Sequence, residues 1–259
     1  LSTLKTNLEK KGIPCFAPSP EAAQLESSKV FCKKVLQEAG VLTAALNICH
    51  QLPEALTAVR QHDFASPLVV KADGLAQGKG VWICESEQKA LEAVETLSGQ
   101  FGWPLLLEEC LVGQELSAFA LCDGQDFVLL GTACDYKRIT PDPFSANTGG
   151  MGAFSPCDFI TDKDEEDLKE IFTKTLHYLK STGTPFEGFL FAGLMKTAKG
   201  LYVLEYNVRM GDPETQALLP RLQSDFLTLL MAAVKKELKG VSCELKSLYT
   251  VHVVAVSQG

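Results

Sequence analysis

Apolar residues at 90, 91, 94 and 97 return at helical spacing and predict a helix over 86–97. Residues 1–12 carry an amphipathic helical pattern as well. The segment 29–38 reads as a helix that Ser27 or Ser28 caps and Gly40 closes. A helix over 53–61 has Pro53 near its first turn, and one over 161–180 opens on Asp162, Asp164, Glu165 and Glu166, which suit the helix dipole. Two further helices fall at 214–222 and 224–238.

Short apolar runs predict strands at 13–16, ended by the turn-forming APSPEA, and at 67–71, 81–84 and 105–107. Strands at 115–122 and 127–131 are joined by the Asp123-Gly124 hairpin signal, and strands at 188–196 and 201–208 turn across Ala198, Lys199 and Gly200. A last strand covers 249–256. From 132 to 156 no period holds, and this Pro/Gly/Asn-rich stretch reads as a disordered or functional loop. The chain is thus α+β, with sheet regions at roughly 66–131 and 186–256 and a cleft between them as the natural ligand site.

A length of 259 residues allows one large or two small domains, and 46% hydrophobic against 22% charged residues excludes disorder and fibre. The net charge of −8 gives no general footprint for nucleic acid or an anionic membrane, so any phosphate must be met locally. Nine cysteines never closer than eleven residues apart argue against a disulfide framework and CxxC metal spacing, and for buried thiols in a reducing cytoplasm. No signal or membrane-spanning run is visible, and the opening Leu in place of Met hints at a piece of something longer.

Four constellations carry candidate chemistry. In VVKADGLAQGKGV (69–81), Gly74, Gly78 and Gly80 free the backbone while Lys71 and Lys79 bring charge, as a phosphate cradle requires; neither a Walker A loop nor a dinucleotide fingerprint is present. LLLEECLVGQE (105–115) runs an apolar strand into Glu108 and Glu109, with Glu115 further on; such a connector offers backbone groups to an adenine edge and a carboxylate to ribose hydroxyls. In LYVLEYNVRMGDPE (201–214), alternation sets Glu205, Asn207 and Arg209 on one face, sharing it with Val203 at its start. Glu205 and Asn207 are hard oxygen ligands for Mg²⁺ beside phosphates, and Arg209 is placed to brace a phosphoryl group. Finally Asp135, Lys137, Arg138 and the glycines of ANTGGMG (146–152) suit an anionic substrate. The four histidines sit at non-ligand spacing.

In this order these segments, with AAQLESSK (22–29), DYKR (135–138), NTGGMGAFSP (147–156), GFLFAGLM (188–195) and LEYNVRMGDPETQ (204–216), resemble the ATP-grasp superfamily and, within it, the phosphoribosylamine–glycine ligases. The resemblance runs from about residue 12 to the end. It implies an ATP-grasp fold of two α+β subdomains with the nucleotide between two antiparallel sheets. Residues 1–20 would be the tail of a preceding domain, 21–65 and 132–248 the central domain, 66–131 the lid and 249–259 the start of a C-terminal domain, the flanking domains being absent. It implies a cytoplasmic enzyme of purine biosynthesis with ATP and Mg²⁺ or Mn²⁺, joining glycine to 5-phosphoribosylamine through glycyl phosphate, its partners being those substrates and the flanking domains of the same polypeptide, with no nucleic acid or membrane.

By position, the resemblance makes Lys29 and Lys71 the ATP-phosphate lysines and 74–80, with Gly74, Gly78, Lys79 and Gly80, the mobile phosphate loop. Glu108, Glu109 and Leu111 become the adenine hinge, Glu115 the ribose ligand, and Glu205 and Asn207 the metal ligands. Arg209 and Lys71 take catalytic roles, and Asp135, Lys137, Asn147, Gly150, Asp212 and Glu214 line the substrate pocket. The chain departs from the family pattern at Tyr136, where a His is usual, at Gly193, where many ATP-grasp enzymes carry a further acidic ligand, and between Val81 and Leu105, which is short by roughly ten residues. The alternatives are another ATP-grasp ligase or carboxylase, such as a carboxyaminoimidazole ribonucleotide synthase or a biotin carboxylase, against which GDPETQ and NTGGMG argue, or a truncated, non-catalytic ATP-binding module.

Overall fold

A computed structural model describes residues 3–76, 79–138 and 147–257, with the backbone alone at Arg138 and Asn147. The chain opens with helices α1 (Leu4–Glu9), α2 (Gln24–Ser27) and α3 (Lys29–Glu38). Ser28, rather than Ser27, caps α3, its Oγ accepting from Phe31 N at 3.1 Å. The segment 13–16 is not a strand: among the described residues no strand pairs with it, Pro14 lacks a donor, and Phe16 instead packs edge-on against Phe189.

Strand β1 (Leu46–Cys49), helix α4 (Leu52–Gln61), strands β2 (Leu68–Ala72) and β3 (Val81–Cys84), helix α5 (Glu87–Phe101) and strand β4 (Leu105–Glu109) form the first layer pair. The strands make an antiparallel sheet in the order β1-β4-β2-β3. Ala55 and Val59 of α4 and Ala90, Ala93, Val94 and Leu97 of α5 pack on Val70, Ala72, Leu105 and Leu107, the helical spacing of the sequence turned into one buried face. Each large side chain buried here contributes roughly 1.5–3 kcal/mol.

The second sheet follows: β5 (Gln114–Asp123), β6 (Phe127–Arg138), β7 (Asn147–Ser155), then α6 (Asp162–Ser181), β8 (Glu187–Thr197) and β9 (Gly200–Asn207). Helix α7 (Glu214–Leu218) runs into a 3₁₀ turn (Leu219–Arg221), followed by α8 (Phe226–Lys235) and β10 (Thr250–Val253). The order is β10-β7-β6-β5-β8-β9, antiparallel throughout. The strands expected at 115–122 and 127–131 therefore belong to this sheet, and the smaller sheet spans 46–109 instead of 66–131. The cause is visible in β5, which is buried on both faces: Leu116, Ala118, Ala120 and Cys122 enter the core under α3 and α6, while Phe119 and Leu121 enter the one under α7 and α8. A strand so apolar needs a neighbour on each side.

The expected loop at 132–156 is largely strand, since β6 runs to Arg138 and β7 starts at Asn147; residues 139–146 lie outside the described chain. Two of the three glycines here reflect crowding rather than a loop. A Cβ at Gly152 would lie 2.5 Å from the His252 carbonyl, and one at Gly150 (φ +134°) would overlap Pro213. The single helix expected at 214–222 is divided because Pro220 cannot donate the next helical bond. The acidic first turn of α6 forms a capping box between Thr161 and Asp164. All nine cysteines are free thiols, and no described helix is long and apolar enough to cross a membrane.

Candidate functional site

A cavity of about 410 Å³ opens between α3, the loop after β2 and the end of β9. It is lined by Lys29 and Lys33 from α3, Gly74 to Ala76 from the loop, Glu108 from β4, and Glu205, Asn207 and Arg209 from β9 and the residues after it. Lys29 is the first residue of α3, and its Nζ donates to the Gly74 carbonyl at 2.8 Å, tying the loop to the helix. Asp73 strengthens that tie, accepting from Val30 N at 3.1 Å and Ser28 Oγ at 3.2 Å. Burial lowers the Lys29 pKa, with the Lys71 charge acting the same way and Glu205 opposing. Gly80 approaches Ala76 too closely for any side chain, and Lys79 is exposed. Gly78 lies outside the described residues.

Glu108 is 1% exposed and holds two lysines on one oxygen: Oε2 lies 2.8 Å from Lys71 Nζ and 3.1 Å from Lys33 Nζ. Among the described residues its other oxygen, Oε1, is buried with no hydrogen-bond partner. A buried acceptor without a donor is costly, and this one belongs to a residue that lines the cavity, so a bound group with an N–H fits it. Glu109 is exposed and pairs with Ala45 through backbone and side chain at 2.9 Å, and Leu111 is half-buried in the link to β5; neither is among the residues lining the cavity.

The bulge between β8 and β9 sets the face of the next group. Gly193 pairs with Glu205 but Leu194 with Val203, so Leu204 is the extra residue and Val203 turns into the core under α3 and α6. Val203 therefore does not share the face of Glu205 and Asn207, contrary to strict alternation. Arg209 follows the strand, donating from Nε to Glu26 Oε1 at 3.1 Å and from a terminal nitrogen to Asn207 Oδ1 at 3.3 Å. Glu26 also accepts from Val208 N at 2.9 Å, which fixes the turn out of β9. The carboxylate of Glu205 and the amide oxygen of Asn207 are the hard donors a divalent cation takes together with phosphate oxygens. Among the described residues no three His, Cys, Asp or Glu side chains gather into a protein-only cage.

A second group occupies the same sheet face on β5 and β6, with β8 between it and β9. Lys137 Nζ lies 2.6 Å from Glu115 Oε1 and 3.5 Å from Asp135 Oδ2. Burial acts to lower the Lys137 pKa, but Glu115, Asp135 and Glu205 outweigh it and raise it. Glu214 is buried and accepts from Ser117 Oγ at 3.3 Å; burial, then the Asp135 charge, push its carboxyl up. Burial likewise raises Asp135, with Lys137 opposing. Gly150 abuts Pro213, between Asp212 and Glu214, and Asp212 is exposed, accepting from Gln216 Nε2 at 2.7 Å. Of Asn147 only the backbone is described, opposite Arg138.

Lys33, Glu26 and Asp73 carry no signal in the sequence that separates them from surface charge. Lys33 sits beside Lys34 on a helix whose buried face is otherwise Cys32, Val35 and Leu36. Its burial follows from Glu108, 75 residues away.

Residues 27–215 match the family described as phosphoribosylglycinamide synthetase, ATP-grasp (A) domain. The phosphoribosylamine–glycine ligase of Brucella melitensis is 41% identical over 99% of this chain and 61% of its own length, and that of Rhizobium meliloti 42% identical over 97% and 60%. The crystal structure of the Thermotoga maritima phosphoribosylamine–glycine ligase superposes with a TM-score of 0.85 at 33% identity, covering 97% of this chain and 63% of that one. A biotin carboxylase from Campylobacter jejuni, at 19% identity and a TM-score of 0.74, shares the fold. The chain spans about 60% of the length of the curated relatives it matches. It belongs to the phosphoribosylglycinamide synthetase family and carries that family's ATP-grasp (A) domain.

Proposed function

We propose that this chain is the nucleotide-binding core of an ATP-dependent ligase that joins glycine to 5-phosphoribosylamine, completed by the remaining part of a longer polypeptide. The observation that carries the reading is the convergence of Lys29, Glu108, Glu205, Asn207 and Arg209 on one cavity beside the glycine loop, with Lys71 paired to Glu108 behind it. The smaller sheet with α4 and α5 is the lid and the larger sheet the body. The adenine amine donates to Glu108 Oε1, with the backbone of 109–111 along the base edge. Glu115 takes the ribose hydroxyls, exchanging or sharing its bond to Lys137. Lys29 and Lys71 neutralise the phosphates under the loop 74–80, where backbone N–H groups need the glycines.

Glu205 and Asn207 would hold Mg²⁺ or Mn²⁺, which would supply charge neutralisation to the phosphate oxygens. A carboxylate approaching a triphosphate meets strong repulsion, so the cations must be in place before transfer. Arg209 then braces the transferring phosphoryl group. A glycine carboxylate oxygen bonds to the γ-phosphorus as the bond to the ADP oxygen breaks; the amine of phosphoribosylamine then attacks the acyl carbon and phosphate leaves. Asp135, Lys137, Asn147, Gly150, Asp212 and Glu214 line the pocket for both substrates.

The test is ADP release with Mg²⁺, omitting glycine or phosphoribosylamine in turn. Release that requires both is expected, and release indifferent to either overturns the ligase reading. ATP binding without turnover on this length of chain identifies the non-catalytic core and moves the assay to the full polypeptide.

A further inference from the structure

We propose that Lys33 is a positioning residue that sets purine-base selectivity: by holding Oε2 of Glu108 it leaves Oε1 as a fixed acceptor that admits a 6-amino purine and rejects a 6-oxo purine. This rests on the nucleotide reading above and deepens it.

Lys33 is 1% exposed, on a helix face whose other members are apolar. Burying an ammonium there is expensive, and a methionine would fill the space more cheaply, so the charge has to be used. Its partners are Glu108 Oε2 at 3.1 Å and Thr43 Oγ1 at 2.7 Å. Two ammonium groups on one carboxylate oxygen restrict the torsion of Glu108, because rotating the carboxylate out of this plane would weaken both contacts at once. Oε2 is thereby occupied, and Oε1 stays buried and unpaired among the described residues. An ionised carboxylate oxygen is acceptor-only: an exocyclic amine satisfies it, whereas a carbonyl oxygen at the same place is repelled. A site built around such a group discriminates far better than an apolar pocket does.

The same lysine reaches the metal-ligand strand. Thr43 Oγ1 donates to the Val203 carbonyl at 2.7 Å, and Val203 N donates to Leu42 O at 2.9 Å, one residue before the bulge that aims Glu205. Lys33 thus links the carboxylate assigned to the base with the strand assigned to the cation, a connection that Lys71 lacks.

The experiment is calorimetric titration of Mg·ATP and Mg·ITP into the wild-type chain and into Lys33→Met, with melting curves to establish folding. The wild type should prefer ATP, and in Lys33→Met the ATP-to-ITP affinity ratio should fall about tenfold or more, chiefly through ATP. Lys33→Arg, which keeps the charge, should hold the ratio within about threefold of wild type. If Lys33→Met does not fold, Thr43→Val takes its place: it frees Lys33 from its second anchor and should lower the ratio about threefold. A parallel loss of both nucleotides with an unchanged ratio, or a wild-type ratio of one, overturns the proposal. Failure of the wild type to bind ATP at all overturns the nucleotide reading itself, and is seen before any variant is made.

Discussion

Replacing Glu108 by Gln removes the only carboxylate that, among the described residues, Lys33 and Lys71 are paired with, and leaves the side chain's shape unchanged. Both ammonium nitrogens bond the same oxygen, at 3.1 and 2.8 Å. They stand within about 6 Å of each other, where two like charges at an effective dielectric near 20 repel by about 3 kcal/mol. Orphaning a buried charge typically costs about 3–5 kcal/mol, so the two routes to the magnitude agree. The loss should depend on pH. In the wild type, burial lowers the Lys33 pKa, with Glu108 opposing and Lys71 adding to the fall. Without Glu108 the folded-state value drops further below the ordinary lysine range. The folded variant then releases a proton that the unfolded chain still holds, and its stability climbs as pH rises toward the unfolded value. Urea unfolding should therefore show a deficit of about 3–5 kcal/mol near pH 7 that shrinks markedly by about pH 9.5. A deficit below about 1 kcal/mol, or one that stays constant between the two pH values, would refute the shared-carboxylate argument.

Other perturbations separate binding from folding. Glu205→Ala should abolish metal-dependent ATP use while shifting Tm by less than about 2 °C, because the side chain is exposed in the cleft; a large Tm loss or unchanged ATP use would contradict its role. Gly150→Ala should cost about 3 kcal/mol, lowering Tm by roughly 6–12 °C in a thermal melt, since a Cβ there overlaps Pro213 at an unfavourable φ; an unshifted Tm would contradict the crowding. Burial lowers the Lys29 pKa, so ATP affinity should decline as pH rises toward alkaline values earlier than an ordinary lysine would allow. Lys29→Arg should flatten that decline in a calorimetric pH series, and an equal decline in both proteins would place its cause elsewhere.

Much of this fold can be read directly from the chain because local chemistry and tertiary packing agree. Ser28 caps α3, Thr161 and Asp164 close a box on α6, and the spacing of residues 90, 94 and 97 becomes the face of α5. The misreadings have specific causes. Glycine weakens any strand signal, so β7 looks like a loop, although Gly150 and Gly152 answer the close approach of Pro213 and His252. Four-residue β1, with Asn47 inside it, is too short to show a period. The sheet that claims β5 and β6 is decided by β8, more than sixty residues later. At the site, Lys71, Glu205, Asn207 and Arg209 stand out because polar groups interrupt apolar strands. Lys33 does not, since a lysine on a helix looks solvated until the partner carboxylate is known, and the bulge at Leu204 is invisible to any argument from alternation.

The central claim is that the cavity between α3, the glycine loop and β9 holds ATP. Calorimetric titration of Mg·ATP into this chain, beside Lys71→Met, tests it most directly. One-to-one binding that the substitution abolishes or weakens at least about tenfold is the expected result, since Lys71 holds Glu108 and is the residue proposed to meet the phosphates. Undetectable binding by the wild type, or equal affinity in the two proteins, would contradict the account.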